Sequence, residues 1–330
     1  MHKKNLILIA PLIGSIIFLL TLALHLSEYQ SADCRLSNFE DKYYSDETTI
    51  FIGHGYGSHN DSNLALNKDL NCYIQHLKEI NYPGTIVFLG DYVREGNEES
   101  ISLITEQLGA LLSSSYFVIG NHDNSPEMIN FIIDNFETLD YKIVGSTIPM
   151  YSFYTYYQTK NLDIGDVESS FFSDVLSQQN KLNSKNLFLL FHELVWTSCD
   201  STLIDNEIQN VLHNYVEYQY SSNICNYYED LLSLEKEVYF IGGDIGATGG
   251  LSQNYTYKKN KNINFIGIGM GENGRNVLVF NQNKSNAFNI INLADGSTKE
   301  LILDGIYEEF KYYYKKYFLK VFFKIKDTFL

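Results

Sequence analysis

Three short apolar runs in the first half of the chain each end in glycine and a side chain able to hold a metal. Thr48 to Ile52 leads into Gly53-His54-Gly55-Tyr56-Gly57, Thr85 to Leu89 into Gly90-Asp91, and Ser115 to Ile119 into Gly120-Asn121-His122-Asp123. β-Branched and aromatic residues dominate all three, as in buried strands. Helical spacing fills the gaps between and after them. Asp61 to Ile80 places Leu64, Leu66, Leu70, Tyr73, Ile74 and Leu77 on one face, with Asp61 as cap. Glu98 to Leu112 and Pro126 to Phe136 repeat the pattern, the second with proline in its first turn. Strand and helix in alternation predict an α/β fold whose sheet is at least partly parallel, with right-handed crossovers. Such sheets gather ligands beyond the carboxyl ends of their strands.

Beyond residue 140 the texture changes. Ile143-Val144, Tyr151 to Tyr157 and Leu187 to Phe191 read as strands, and Ser169 to Leu182 as a helix. His192 follows the last of these strands. Residues 197–236 are polar and rich in Asn and Tyr, and are expected to form a cap insertion. Val238 to Ile241 is a further strand, ending in Gly242-Gly243-Asp244-Ile245-Gly246. Alternating runs at Asn264–Ile268, Asn276–Phe280 and Phe288–Ile291 follow, as in a meander. Five strand ends then carry His54, Asp91, Asn121-His122, His192 and Asp244. These are nitrogen and oxygen ligands suited to Mn, Fe or Zn, with no thiolate among them.

The chain has 330 residues and a formal net charge of −16, enough length for a sizeable core. The acid is concentrated in the body, because six lysines against three acids make residues 305–330 basic. An acidic body excludes nucleic acid as a non-specific partner, since phosphate backbones are held by clustered Lys and Arg. A small phosphorylated substrate held through metal ions remains open. Leu6 to Leu24 is an uncharged apolar run long enough to span a bilayer. With Lys3 and Lys4 before it, residues 1–28 read as a cytoplasmic stub and transmembrane signal-anchor, residues 29–46 as a stalk, and the body as extracytoplasmic. The interleaved lysines and aromatics of residues 305–330 suit either a helix on an anionic membrane surface or one packed on the body. Cys34, Cys72, Cys199 and Cys225 form no C-x-x-C pair. Two disulfides, with Cys34–Cys72 and Cys199–Cys225 as one pairing, and four buried thiols are both open readings.

The ordered set Gly90-Asp91, Gly120-Asn121-His122-Asp123, His192 and Gly242-Gly243-Asp244 resembles the calcineurin-like metallophosphoesterases, over roughly residues 47–295. That resemblance implies a four-layer α-β-β-α metallophosphoesterase sandwich, here preceded by one transmembrane helix. It implies that Asp91 bridges two metals, that Asn121 and His192 bind the second, and that His122 serves the leaving group. The outer motifs depart from the family. Its Asp-x-His is replaced by His54-Gly55-Tyr56, and its Gly-His-x-His by Gly243-Asp244-Ile245-Gly246. By this reading Asp91, Asn121, His192 and Asp244 form one tight site. His54, Asp91 and Tyr56, with His59 as a looser candidate, form a second that is weak or filled only with substrate.

The implied activity is hydrolysis of a phosphate ester by metal-activated water. His122 and Asp123 serve as catalytic residues, and Arg94, one of three arginines, as a phosphate clamp. The substrate is expected to be a phosphorylated small molecule or a lipid-linked phosphate. The competing reading is a catalytically degenerate binding protein of the same fold at the membrane. Oligomeric state is not legible in the sequence.

Overall fold

The computed structural model describes residues 39, 44–57, 66–123, 125–136, 150–153, 164–179, 184–194, 226–245, 255–271, 274–281 and 288–301. Its first sheet is built around three parallel strands, β1 (Thr48–Ile52), β2 (Thr85–Leu89) and β3 (Ser115–Val118). The connections are helical: α1 (Lys68–Glu79), α2 (Glu98–Leu108) with a 3-10 turn over Gly109–Ser114, and, after β3, α3 (Pro126–Phe136). Helix α1 starts at Lys68, not Asp61, because the Asn67 side chain accepts from the Asp69 N–H and caps the first turn. Helix α2 stops at Leu108, four residues short of its expected end, where Gly109 takes φ 53°. Leu70, Tyr73, Ile74, Ile104, Leu108, Met128 and Ile132 from these helices pack with Ile50, Ile52, Ile86, Phe88 and Phe117 of the sheet.

The second sheet begins with β4 (Met150–Phe153), followed by α4 (Ile164–Gln179), β5 (Asn186–Phe191), α5 (Tyr228–Leu232) and β6 (Glu237–Gly242). Then come β7 (Tyr255–Asn260) and β8 (Ile263–Ile268). Its order is β4-β5-β6-β8-β7, parallel except for the β7–β8 hairpin. Strand β7 escapes a hydrophobicity reading because Tyr255-Thr256-Tyr257-Lys258-Lys259-Asn260 is an edge strand, and edges carry lysine. Phe171 lies against Phe191, and Tyr228 of α5 stacks on Phe265, so the outer face of this sheet is covered by α4 and α5.

The expected meander divides between the sheets. Strand β8 pairs parallel with β6, whereas β10 (Gly274–Asn281), β11 (Phe288–Asn292) and β12 (Thr298–Glu300) return antiparallel to the first sheet beside β1. A two-residue β9 (Met270–Gly271) pairs with β10. Continuous burial drives the split: every residue of β8 is buried, which suits an interior parallel strand rather than a one-faced meander.

Between the sheets, Phe51, Val87, Leu89 and Val118 meet Phe188, Leu190, Ile241, Ile266 and Ile268. Phe188 stacks on Phe51 with ring centroids 5.9 Å apart and packs edge-on to Phe280 at 4.9 Å. Of the expected cap, residues 226–236 contain α5, whose carbonyl ends are tied by the Asn262 amide to Leu231, Leu234 and Lys236. The rest of that stretch lies outside the described residues, as do Ile143-Val144, the Leu6–Leu24 run and residues 305–330. Among the described residues no helix is long and apolar enough to cross a membrane. Cys72, on α1, is disulfide-bonded, and the other three cysteines lie outside the described residues.

Candidate metal centre

The carboxyl ends of β1, β2, β3, β5 and β6 converge. They do so because backbone meets backbone between the sheets: a Cβ on Gly243 would collide with the Leu89 carbonyl oxygen. Two donor residues stand in left-handed backbone, His54 at φ 53° and Asp91 at φ 51°. A non-glycine residue there costs on the order of 1–3 kcal/mol and is retained where the surroundings over-determine it, commonly at functional sites. Asp91 is locked by its neighbours. Its carbonyl accepts from the Tyr56 N–H at 3.3 Å and its Oδ1 from the His122 N–H at 3.0 Å.

Asp91 lies at the middle of the cluster and is 1 % exposed. Its Oδ2 is 3.4 Å from His54 Nε2, and its Oδ1 is 3.4 Å from His192 Nε2. Asp244 closes both halves. Ligand atoms of His54, Asp91 and Asp244 all lie within 4.8 Å of one another. Asp244 Oδ1 is 4.0 Å from His192 Nε2, and Asn121 Oδ1 is 3.0 Å from the same nitrogen. The structure thus brings His54, Asp91, Asn121, His192 and Asp244 together, with the Tyr56 ring against His54, and it changes one assignment. Asp244, expected to serve only the His192 set, also faces His54 and Asp91. Residues 58–65, including His59, and Gly246 lie outside the described residues.

Backbone carbonyls fix the ring tautomers. His54 Nδ1 is 2.8 Å from the Gly57 carbonyl, His192 Nδ1 is 3.0 Å from the Leu89 carbonyl, and His122 Nδ1 is 3.0 Å from the Arg94 carbonyl. A carbonyl only accepts, so each Nδ1 donates, and at His54 and His192 Nε2 is the nitrogen turned toward a metal position. At His54 and His192 that nitrogen faces carboxylate or amide oxygen. Lone pairs facing lone pairs call for a cation between them. Burial pushes His54 down, against the pull of Asp91 and Asp244. At His192 burial also works against charge, yet Asp91 and Asp244 outweigh it and hold its pKa up at about 9. The same two carboxylates that favour positive charge on His192 would favour a cation between them. The donor set therefore fits divalent metal: neutral imidazoles, two carboxylates and an amide oxygen, with no thiolate.

The remaining predicted residues fall around this centre. Asp123 is fully buried and accepts from the Val93 N–H at 3.2 Å and the Gly120 N–H at 3.1 Å. It stitches the β2 and β3 loops together. Burial and the neighbouring Asp91 push its pKa up. His122 is half-buried. Arg94, also half-buried, holds His122 through its carbonyl, and its positive charge reaches the Tyr56 hydroxyl. Tyr56 is fully buried, with its ring 4.5 Å from that of His54 and 5.2 Å from that of His122. Burial, then Asp91, Asp244 and Asp123, push its phenol up, so it stays protonated. Sequence reasoning missed Gly120 as a site residue. A Cβ there would collide with Asp91 Oδ1 and the Asp91 N–H nitrogen, so only glycine lets the β3 loop pass the Asp91 carboxylate.

A calcineurin-like phosphoesterase family model matches residues 54–225. No curated protein matches the chain. Among solved structures, the chain is similar to the NAD nucleotidase NadN of Haemophilus influenzae, with TM-score 0.40 and 11% identity, covering 80% of this chain and 55% of that one. It is also similar to a 5'-nucleotidase of Candida albicans SC5314, with TM-score 0.37 and 12% identity, covering 81% of this chain and 54% of that one. The chain spans about half the length of each of these two proteins. The family match takes in more than half of the sequence and runs from His54 through His122 and His192, so the chain belongs to the calcineurin-like phosphoesterase family.

Proposed function

We propose that the protein is a metal-dependent phosphoric ester hydrolase. The observation that carries this reading is the division of Asp91: each carboxylate oxygen faces the Nε2 of a different histidine, and both rings have their tautomers set by backbone carbonyls. His54, Asp91 and Asp244 would hold one divalent ion, and Asp91, Asn121 and His192, with Asp244 in reach, a second. Mn, Fe and Zn all suit these donors. The His192 set is the tighter, and the His54 set fills more weakly or with substrate. Bound metal would neutralise phosphoryl charge and acidify the attacking water. The chain's own residues do the rest. His122, held at Nδ1 by the Arg94 carbonyl, presents Nε2 for proton transfer to the leaving oxygen. The Arg94 guanidinium, on the same loop as Asp91, supplies a fork for phosphate. Asp123 keeps these loops in register.

The reading extends to location. An N-terminal signal-anchor at Leu6–Leu24 would tether an extracytoplasmic body. The disulfide at Cys72 supports this, because disulfides persist in oxidising compartments. Such tethering, with the lysine-rich residues 305–330 near anionic lipid, favours a lipid-linked phosphate or a small phosphorylated molecule as substrate. The test is metal content and hydrolysis of an aryl phosphate with Mn²⁺, for the full chain and for a His192→Ala, Asp244→Ala double variant. Metal and turnover in the first, both lost in the second, is the expected result. Folded wild type with neither would leave a degenerate binding protein.

A further inference from the structure

We propose that Tyr56 is a positioning residue for His122, acting through its ring, and not a metal ligand. The proposal rests on the hydrolase reading of the centre. Tyr56 is one of the largest fully buried side chains, although it belongs to a loop and not to a strand. The loop is built to hold it. Its N–H donates to the Asp91 carbonyl, while the His54 ring and the Gly57 N–H close the turn around it at 2.8 Å and 2.9 Å. The aromatic ring lies between two imidazoles of different duty. It tilts 52° against His54, which faces Asp91, and stands edge-on at 63° to His122. Edge-to-face rings at this separation attract and restrict rotation. With Nδ1 on the Arg94 carbonyl and the Tyr56 ring at its side, the His122 imidazole has two independent restraints. One fixes the tautomer and the other the ring plane. Tyr56 also packs against His54, so one wedge touches both a residue that would hold metal and the proton donor.

The experiment compares Tyr56→Phe, Tyr56→Ala and His122→Ala in the full chain, with Tyr56→Leu as the substitute should the alanine variant fail to fold. Three quantities are read: bound Mn²⁺, the NMR resonances of the His122 ring in metal-free protein, and turnover of 4-nitrophenyl phosphate against an alkyl phosphate. Tyr56→Phe keeps the ring, and should keep the metal, the His122 resonances and turnover to within a few-fold. Tyr56→Ala should keep the metal, shift the His122 resonances, and slow the alkyl ester by roughly a hundredfold, the cost of ångström-scale misplacement. The nitrophenyl ester, whose leaving group needs no proton, should suffer less. Adding Tyr56→Ala to His122→Ala should slow the alkyl ester no further. Loss of metal in Tyr56→Phe would make the hydroxyl a ligand and overturn the proposal. Equal losses on both esters, or unmoved His122 resonances in Tyr56→Ala, would overturn it as well. A wild type that hydrolyses neither ester sinks the hydrolase reading alone, since the resonances and metal content still decide the role of Tyr56.

Discussion

The two sheets supply ligands by different physical means. In the first sheet, His54 and Asp91 stand in left-handed backbone just past β1 and β2, and each is pinned by loop hydrogen bonds. In the second, His192 and Asp244 follow β5 and β6 without positive φ, and the Gly243 and Asp244 N–H groups both donate to the His192 carbonyl at 2.8 Å. One half of the centre therefore stands in left-handed turns, and the other in the loops just past β5 and β6, which backbone hydrogen bonds tie to each other. Asp91 joins the halves. A centre made this way depends on how closely the sheets approach at one end, and less on either sheet alone.

Changes at the junction should have the largest effect. Asp91→Ala removes the shared carboxylate, and turnover should fall roughly a thousandfold or more, since several kcal/mol of metal-borne stabilisation is at stake. Bound metal should fall with it. Retained metal would show that the halves bind independently. Phe188→Ala attacks the layer between the sheets away from the ligands, and should cost about 3–5 kcal/mol of unfolding free energy in denaturant titration. If the comparison holds, the variant that remains folded still binds metal. Gly120→Ala pushes a methyl into Asp91 from the first-sheet side, and kcat should drop roughly a hundredfold while unfolding free energy falls by about 1–3 kcal/mol, because the methyl also meets Asp91 backbone. Asp69→Ala breaks the partly exposed ion pair with Arg275 that links α1 to β10. It should shift stability by less than about 1 kcal/mol and leave activity alone. A larger effect would mean that the first sheet's helices are set by charge as well as by their apolar faces.

Much of the first half was legible because its signals are local. Apolar runs at Thr48–Ile52 and Thr85–Leu89 match β1 and β2 residue for residue, and Pro126–Phe136 matches α3. The glycine-polar strand ends named Asp91, Asn121, His122, His192 and Asp244 without any coordinates. What the sequence withheld is non-local. Nothing in Asn264–Ile268 says that it pairs with β6 while Asn276–Phe280 crosses to β1, because sheet membership is decided by partners far along the chain. The sharing of Asp244 between two histidines, and the carbonyls of Gly57, Leu89 and Arg94 that set the tautomers, are products of that pairing. Backbone carbonyls carry no residue signature. Tyr56 was legible as a site residue, but its fully buried ring between two imidazoles was not.

The account turns on one carboxylate shared by two metal positions, each with its own histidine. Metal stoichiometry of the full chain at saturating Mn²⁺ tests it directly, in wild type, His54→Ala and His192→Ala. Two ions in the wild type and one in each single variant is the predicted result. A folded wild type that takes up none, or a His54→Ala variant that still binds both, would contradict it.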